Sequence, residues 1–460
     1  RTRGGAGIKV RLVKGANLVM EQVEAELHDW PQAPYPAKLD VDASFKLMLE
    51  SALRLGNPDA VRVGVASHNL FEVAWAVTVC EHLGARDRLD VEMLEGMAPP
   101  QSRAVRDIVG ELILYSPVVE KQDREASIAY LSRRLDENSS PENFLKSLFD
   151  IAPGSPSWLL EAERFRASVA ARHSVSVESN RRQDRTDPIR SESASCRASF
   201  VNCVSFVNCV DTDFTSEVNR AWVEGALAAC EPVEPPLTDT VEGVDVLVSA
   251  GVAAQAAWGQ TPWEQRRATL LRAADVMESE RGNTLALMAN TAGKTIAEGD
   301  PEISEAIDFT RYAAHLTLGH EQQIADGLTW TPYRVIVVAG PWNFPYAIPA
   351  SGLVHAIAAG CAVIMKPAPE TRAVAAALVD HLRTAGVPDG LVQLACTPDD
   401  EVGRHLITHD DVDKVMLTGS YDTAAMFLEW KPTLRINAET SGKNSLIITA
   451  AADIDQAIKD

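Results

Sequence analysis

The stretch 333–367 restricts the architecture of the chain more than any other. Residues 334–339 form an apolar, largely β-branched run of strand length, which the turn Gly340-Pro341-Trp342-Asn343-Phe344-Pro345 ends. An apolar helical segment then runs to Gly360, and residues 362–365 form a second strand-like run. Strand, loop, helix and strand in this order make a parallel pair with a crossover. Such a crossover is right-handed, because a right-twisted strand and a right-handed helix pack back onto the sheet only that way. The loop after the first strand therefore lies at the carboxyl edge of the sheet, where open α/β folds bind ligands. Asn343 in that loop and Lys366 at the end of the second strand face one site. A helical run at 371–385 and strand-like runs at 391–395 and 412–417 extend the alternation to a doubly wound α/β domain.

Four motifs in this half are more specific than its periodicity: PWNFP at 341–345, Lys366-Pro367, MLTGS at 416–420 and AETSGKN at 438–444. In this order the chain resembles the aldehyde dehydrogenase superfamily. The resemblance implies that a cysteine thiolate attacks an aldehyde, a hydride passes to NAD, and water hydrolyses the thioester. Asn343 is then the amide donor to the developing oxyanion, a role that needs a preorganised neutral group. Lys366 would bind the adenosine ribose hydroxyls. Gly419 and Ser420, at a helix start, would meet the pyrophosphate. Glu439 would activate the deacylating water, which suits a carboxylate whose pKa partial burial can raise.

The same half departs from the family pattern in places. An acid often stands three residues after the lysine, where this chain has Pro369, with Glu370 one later; NAD is still expected over NADP. The nucleophilic cysteine is expected a few tens of residues beyond Glu439, yet none follows Cys396 before Asp460. Cys361, at the start of a buried strand, and Cys396 read as small core residues. His405 and His409 share a helix face; without a carboxylate between them and a third ligand they read as surface residues. In the helical stretch 258–295, Leu270, Leu271, Ala274 and Met277 make one apolar face.

Residues 1–152 alternate differently. Strand-like runs at 8–13, 60–66, 91–94 and 112–115 are separated by helical segments up to Leu27, at 45–55, at 71–83 and around 103–109, and a helix at 125–136 follows. In the run 71–83, Phe71, Ala74, Trp75 and Thr78 share a face and Gly84 is the stop. Repeated strand-helix units imply a parallel sheet, here half of a (β/α)8 barrel. Half a barrel leaves open strand edges, so further residues are expected N-terminal to this stretch.

Five motifs sit just past the strands, where barrel chemistry belongs: RLVKGA at 11–16, ASHN at 66–69, EMLEGM at 92–97, LYSPV at 114–118 and YLSRRLDEN at 130–138. They are similar to the flavin-dependent proline dehydrogenase barrel. The resemblance implies that Arg11, Lys14, His68 and Asn69 contact FAD, while Leu94, Tyr115, Arg133 and Arg134 enclose proline. Adjacent guanidinium forks suit a bidentate grip on a carboxylate, and Glu137 lies within a helical turn of both. Asn17 and Leu18 stand where the family usually carries aromatics.

Between the halves, 175–199 is rich in Ser and Arg and lacks periodicity, and SFVNCV occurs twice, at 199–204 and 205–210. Cys203 and Cys209 repeat with it, but no His or further Cys pair nearby completes a metal site. The expected class is thus α/β. The C-terminal half of a (β/α)8 proline dehydrogenase barrel (1–152) is followed by a partly disordered linker or arm (153–234). A doubly wound aldehyde dehydrogenase NAD-binding domain (235–460) follows, truncated before the catalytic cysteine.

This order of parts resembles the bifunctional proline utilisation family. It implies FAD-dependent oxidation of proline to pyrroline-5-carboxylate, hydrolysis to glutamate semialdehyde, and NAD-dependent oxidation to glutamate. A membrane quinone as flavin reoxidant and a homo-oligomer are further implications. The formal net charge of −21 argues against non-specific nucleic-acid binding, and seven scattered cysteines fit a reducing compartment. No apolar run reaches the roughly 18 residues of a membrane span. The expected location is cytoplasmic or at the membrane periphery. With no initiator Met and an ending inside a helical pattern, the chain reads as an internal piece. Two other readings stand beside this one: a non-catalytic fragment or remnant, and an NADPH-dependent semialdehyde reductase, against which Glu439 and the barrel-like half both count.

Overall fold

The computed structural model describes residues 7–187 and 207–459, apart from 16, 17, 29, 57, 121–123, 140–142, 149, 443 and 444. They fall into two compact units, Arg1–Leu27 with Pro31–Arg181, and His28–Trp30 with Arg182–Asp460.

In the first unit β1 (Ile8–Leu12), β2 (Val61–Ala66), β3 (Leu89–Leu94) and β4 (Leu112–Tyr115) form a parallel sheet in the order β1-β2-β3-β4. Register pairs such as Ile8 with Val61, Val63 with Leu89 and Val91 with Leu112 link neighbours. Strand order follows chain order with no reversal, as in a barrel segment and unlike a doubly wound sheet. Among the described residues the sheet is open at β1 and β4, whose side chains are largely exposed, whereas Val63, Val65, Val91 and Met93 of the central strands are buried. The helices Lys38–Leu55, Leu70–His82 and Pro99–Val109 supply Phe45, Leu49, Val73, Ala76 and Val105 to the same core. Asn69 starts the second of these by accepting hydrogen bonds from the Phe71 and Glu72 amides.

The stretch 153–234 corrects the expectation of a linker at both of its ends. Helix Pro156–Ala171 packs in the first unit, with Trp158 and Phe165 against Phe71 at ring separations of 4.9 and 5.7 Å. Lys46 donates to Ser168 at 2.9 Å and Arg172 to Glu50 at 3.0 Å. Helix Glu217–Ala229 packs in the second unit on helix Arg281–Ala292, where a Cβ on Gly282 would stand 2.9 Å from the Trp222 ring. The first SFVNCV copy, with Cys203, lies outside the described residues.

The second unit holds β5 (Val335–Ala339), β6 (Ala362–Lys366), β7 (Val392–Leu394), β8 (Val412–Gly419) and β9 (Ile436–Thr440) in the parallel order β7-β6-β5-β8-β9. The chain winds outward from β5 to β7 on one side and then from β8 to β9 on the other, the expected doubly wound sheet with its switch point between β5 and β8. All of β5 is buried, which is why that run is apolar throughout instead of alternating. Helices Val241–Trp258 and Ala347–Ala359 pack on β5 and β6. Leu270, Ala274 and Met277 of helix Trp263–Ser279 are fully buried as their spacing predicts, and Leu271 is partly so.

Candidate functional site

At the carboxyl edge of the second sheet, four strand ends open into a cleft of about 750 Å³. Asn343 comes from the loop after β5, Lys366 from the end of β6, Gly419 and Ser420 from the end of β8, and Glu439 from β9; all five predicted residues line it. Local chemistry sets each of them. A Cβ on Gly340 would lie 2.7 Å from the Pro349 ring, so only glycine lets the loop turn this tightly onto its own helix. Ser420 accepts from the Thr423 amide at 3.0 Å and caps helix Tyr421–Trp430, leaving the positive end of that helix at the cleft. Glu439 pairs in register with Thr418 on β8. It is exposed, so the partial burial expected of it is not present among the described residues.

Two residues that sequence reasoning passed over hold the Asn343 turn. Lys294 donates to the Asn343 carbonyl at 3.0 Å, lies 4.1 Å from the Phe344 ring centre, and pairs with Glu302 at 2.6 Å. Glu302 in turn accepts from the buried amides of Tyr346 at 2.7 Å and Ala347 at 3.0 Å. Nothing local to the turn announces them. Asp399 and Arg404 also line the cleft, and Asp399 accepts from Lys366 at 2.9 Å.

Burial pushes the Cys361 and Cys396 thiols up to about 11 and that of Cys209 up to about 12. At neutral pH these are protonated core thiols and poor nucleophiles, as expected of the first two. Cys209 instead accepts from the buried Arg281 guanidinium at 3.2 Å.

The histidine pair needs a correction, because a carboxylate does stand between the two. Asp245, from helix Val241–Trp258, lies 2.6 Å from His405 Nε2 and 3.3 Å from His409 Nε2, and these groups are compact enough to suggest a metal. However, His409 Nδ1 accepts the Asp411 amide at 3.0 Å, so a neutral ring carries its proton on Nε2, facing Asp245. The hydrogen bond from His405 is the chief reason the Asp245 carboxyl sits below its ordinary value. The cluster is a clamp between two helices.

In the first unit Arg11, His68, Leu94 and Tyr115, four of the predicted residues, stand at or just past the carboxyl ends of β1 to β4. Arg11 on β1 reaches across β2 to Glu92 on β3 at 2.8 Å, and its guanidinium stands 4.6 Å from the Tyr115 ring centre on β4. A side chain that meets groups two and three strands away requires a strongly curved sheet. Gly64 on β2 makes room for this crossing, since its Cβ would collide with Glu92 at 2.3 Å. Lys9 joins the same inward layer through Asp90 and Glu92, both at 3.0 Å.

The His68 Nε2 accepts the Leu94 amide at 3.0 Å, and burial lowers the ring's pKa and keeps it neutral. Its Nδ1 proton is then buried with no partner among the described residues. Tyr115 faces Tyr130 at 6.1 Å, and the Arg134 guanidinium lies 5.2 Å from the Tyr130 ring, so Tyr115 and Arg134 meet around a tyrosine not singled out from the sequence, while Leu94 pairs in register with Tyr115. The side chains of Arg133 and Glu137 lie outside the described ones. Lys14 and Asn69 turn elsewhere. Lys14 donates to Asp42 at 2.7 Å and Glu72 at 2.9 Å, and the Asn69 oxygen is spent on its helix cap.

Residues 1–147 match the proline dehydrogenase family model, and residues 234–460 match that of the aldehyde dehydrogenase family. The chain is 28% identical over 509 residues to the bifunctional protein PutA of Salmonella typhimurium, covering 100% of this chain and 37% of that protein. It is 32% identical over 232 residues to 1-pyrroline-5-carboxylate dehydrogenase 2 of Bacillus subtilis, covering 47% of this chain and 45% of that one. Among solved structures, proline utilization A from Corynebacterium freiburgense superposes with a TM-score of 0.76 at 42% identity, over 100% of this chain and 43% of that one. The corresponding protein of Bdellovibrio bacteriovorus gives 0.74 at 29% identity, over 98% and 49%. The chain therefore spans less than half the length of these relatives.

Proposed function

We propose that the chain is a piece of a bifunctional proline utilisation protein, and that its two strand-edge sites serve consecutive oxidations. The first takes proline to pyrroline-5-carboxylate with FAD; after hydrolysis, the second takes glutamate semialdehyde to glutamate with NAD. The observation that carries this reading is the cleft, which draws Asn343, Lys366, Ser420 and Glu439 from four separate segments to one sheet edge.

The residues present suit a dinucleotide. The capped start of helix Tyr421–Trp430 offers amides and a positive dipole end to a pyrophosphate, beside the switch point where such ligands bind. NAD, when bound, supplies the hydride acceptor. Asn343 donates its amide to the oxyanion formed when a thiolate adds to the aldehyde, and the Lys294 bond to its carbonyl holds that loop still. Glu439 takes a proton from the water that cleaves the thioester. Cys209, Cys361 and Cys396 are buried and protonated, so the reading places the nucleophilic thiol outside these three.

The sequential, strongly curved parallel sheet supports a half (β/α)8 barrel, with Lys9, Arg11, Asp90 and Glu92 as an inward polar layer. The residues fit a flavin in part. Arg11, whose Nε is already paired with Glu92, and the His68 Nδ1, unpartnered among the described residues, would serve it, whereas Lys14 and Asn69 shape the loops that would hold it. FAD supplies a two-electron acceptor there. Leu94 and Tyr115 flank the proline ring and Arg134, with Arg133, binds its carboxylate. A membrane quinone as reoxidant, self-association, and a cytoplasmic location at the membrane periphery complete the proposal. Among the described residues no helix is long and apolar enough to cross a membrane.

Calorimetric titration of the chain with NAD tests the second site. Saturable binding that Lys366→Met weakens by about tenfold, a loss of roughly 1.4 kcal/mol, is expected. A wild-type chain that binds no NAD would refute the assignment.

A further inference from the structure

We propose that Asp399 selects NAD against NADP, an inference that rests on the nucleotide reading of the cleft. The charged side chains lining the cleft are Lys366, Asp399, Arg404 and Glu439. Glu439 stands on β9, on the far side of the switch point from β6. Pro369 occupies the position three past Lys366 and brings no charge. Glu370, in the short turn Pro369–Thr371, is exposed and does not line the cleft. The carboxylate beside Lys366 is therefore Asp399, from the loop between β7 and helix Glu401–Thr408.

Its geometry suits a hydroxyl and opposes a phosphate. The Lys366 side chain is 13% exposed and its ammonium donates to one Asp399 oxygen at 2.9 Å, while the Asp399 side chain is 73% exposed. An ammonium has three protons and a carboxylate has two acceptor oxygens, so both groups keep capacity for a third partner. A ribose 2′-hydroxyl satisfies each of them, donating to Asp399 and accepting from Lys366. Dinucleotide folds commonly use an acid in this way, and replace it with a cation where a 2′-phosphate is bound. A 2′-phosphate carries roughly −1.5 to −2 charges at pH 7, meets the Asp399 charge directly, and finds Lys366 already neutralised. Arg404 is the other cation of the lining, 3.7 Å from Glu401. Removing Asp399 leaves Lys366 and Arg404 as an anion site.

The test is equilibrium titration of the whole chain with NAD and with NADP, for wild type, Asp399→Ser, and Asp399→Ser combined with Lys366→Met. Far-UV circular dichroism confirms that each is folded. Wild type is expected to prefer NAD. Asp399→Ser should tighten NADP by about tenfold or more with a far smaller change for NAD, and about 1 M salt should screen most of the gain. The double variant should lose the gain, because Lys366 provides it. An NAD-to-NADP ratio that is the same in Asp399→Ser as in wild type overturns the inference and reduces Asp399 to a prop for Lys366. Failure of wild type to bind either coenzyme overturns the nucleotide reading itself, and is distinguished by appearing before any substitution is made.

Discussion

Asp308 shows how a single residue of the second unit couples stability to pH. Its carboxylate accepts the Cys209 amide at 2.9 Å, yet burial raises its pKa from the ordinary 3.8 to about 6, against the lowering effect of that hydrogen bond and of Arg311 and Arg281. A carboxyl with a raised folded pKa adds stability where it is protonated, and loses it as pH rises through the folded value. Above about pH 6 the native state therefore bears the cost of a partly buried charge. Asp308→Asn keeps an acceptor for Cys209 and removes that charge. The full shift corresponds to about 3 kcal/mol, and solvent screening at a half-buried site reduces it to about 1–2 kcal/mol. Urea unfolding should show the variant more stable by that amount at pH 7.5 and indistinguishable from wild type near pH 3, below the ordinary value of the carboxyl; a pH-independent difference would contradict the assignment. Neighbouring Arg281, 1% exposed and bound to Glu278 at 2.8 Å and Asp300 at 3.1 Å, illustrates what a sequence hides. Nothing in the composition of helix Arg281–Ala292 separates that arginine from a solvated one.

At the scale of elements, the β5-loop-β6 unit was legible because its signals are local. The apolar strands, the Gly-Pro turn and the Gly360 stop all lie within one continuous stretch. What rigidifies the turn is not local. Glu302 reaches the Tyr346 and Ala347 amides from a helix 44 and 45 residues away in sequence. Glu302→Ala should leave those buried amides unsatisfied and speed their hydrogen exchange by about tenfold or more, given a cost of about 1–3 kcal/mol for an orphaned donor. Exchange as slow as in wild type would mean that the turn holds itself. The stretch 153–234 misled for the same reason. Helix Pro156–Ala171 is held by Phe71 and Lys46 of other helices, contacts invisible to any window of sequence. The His405 and His409 pair was read without Asp245, which arrives from a separate helix.

For the molecule as a whole, ligand binding to the folded state should appear as stability. NAD at about a hundred times its dissociation constant should stabilise the second unit by about 2.7 kcal/mol, visible as a rise in unfolding temperature that AMP reproduces only in part. No rise, with NAD binding seen in solution, would mean that NAD also binds the unfolded chain. The sequence by itself determined the alternation of strands and helices, the two family resemblances, and the edge of the second sheet where Asn343, Lys366, Ser420 and Glu439 gather, because strand direction and crossover handedness follow from local chirality and turn chemistry. Only the tertiary structure decided which charges meet. Lys14 turned to Asp42 and Glu72, Arg11 crossed to Glu92 and Tyr115, and Asp399 came to rest beside Lys366. Ion pairing depends on distances of a few ångströms between residues remote in sequence, and those distances exist only once the elements have packed.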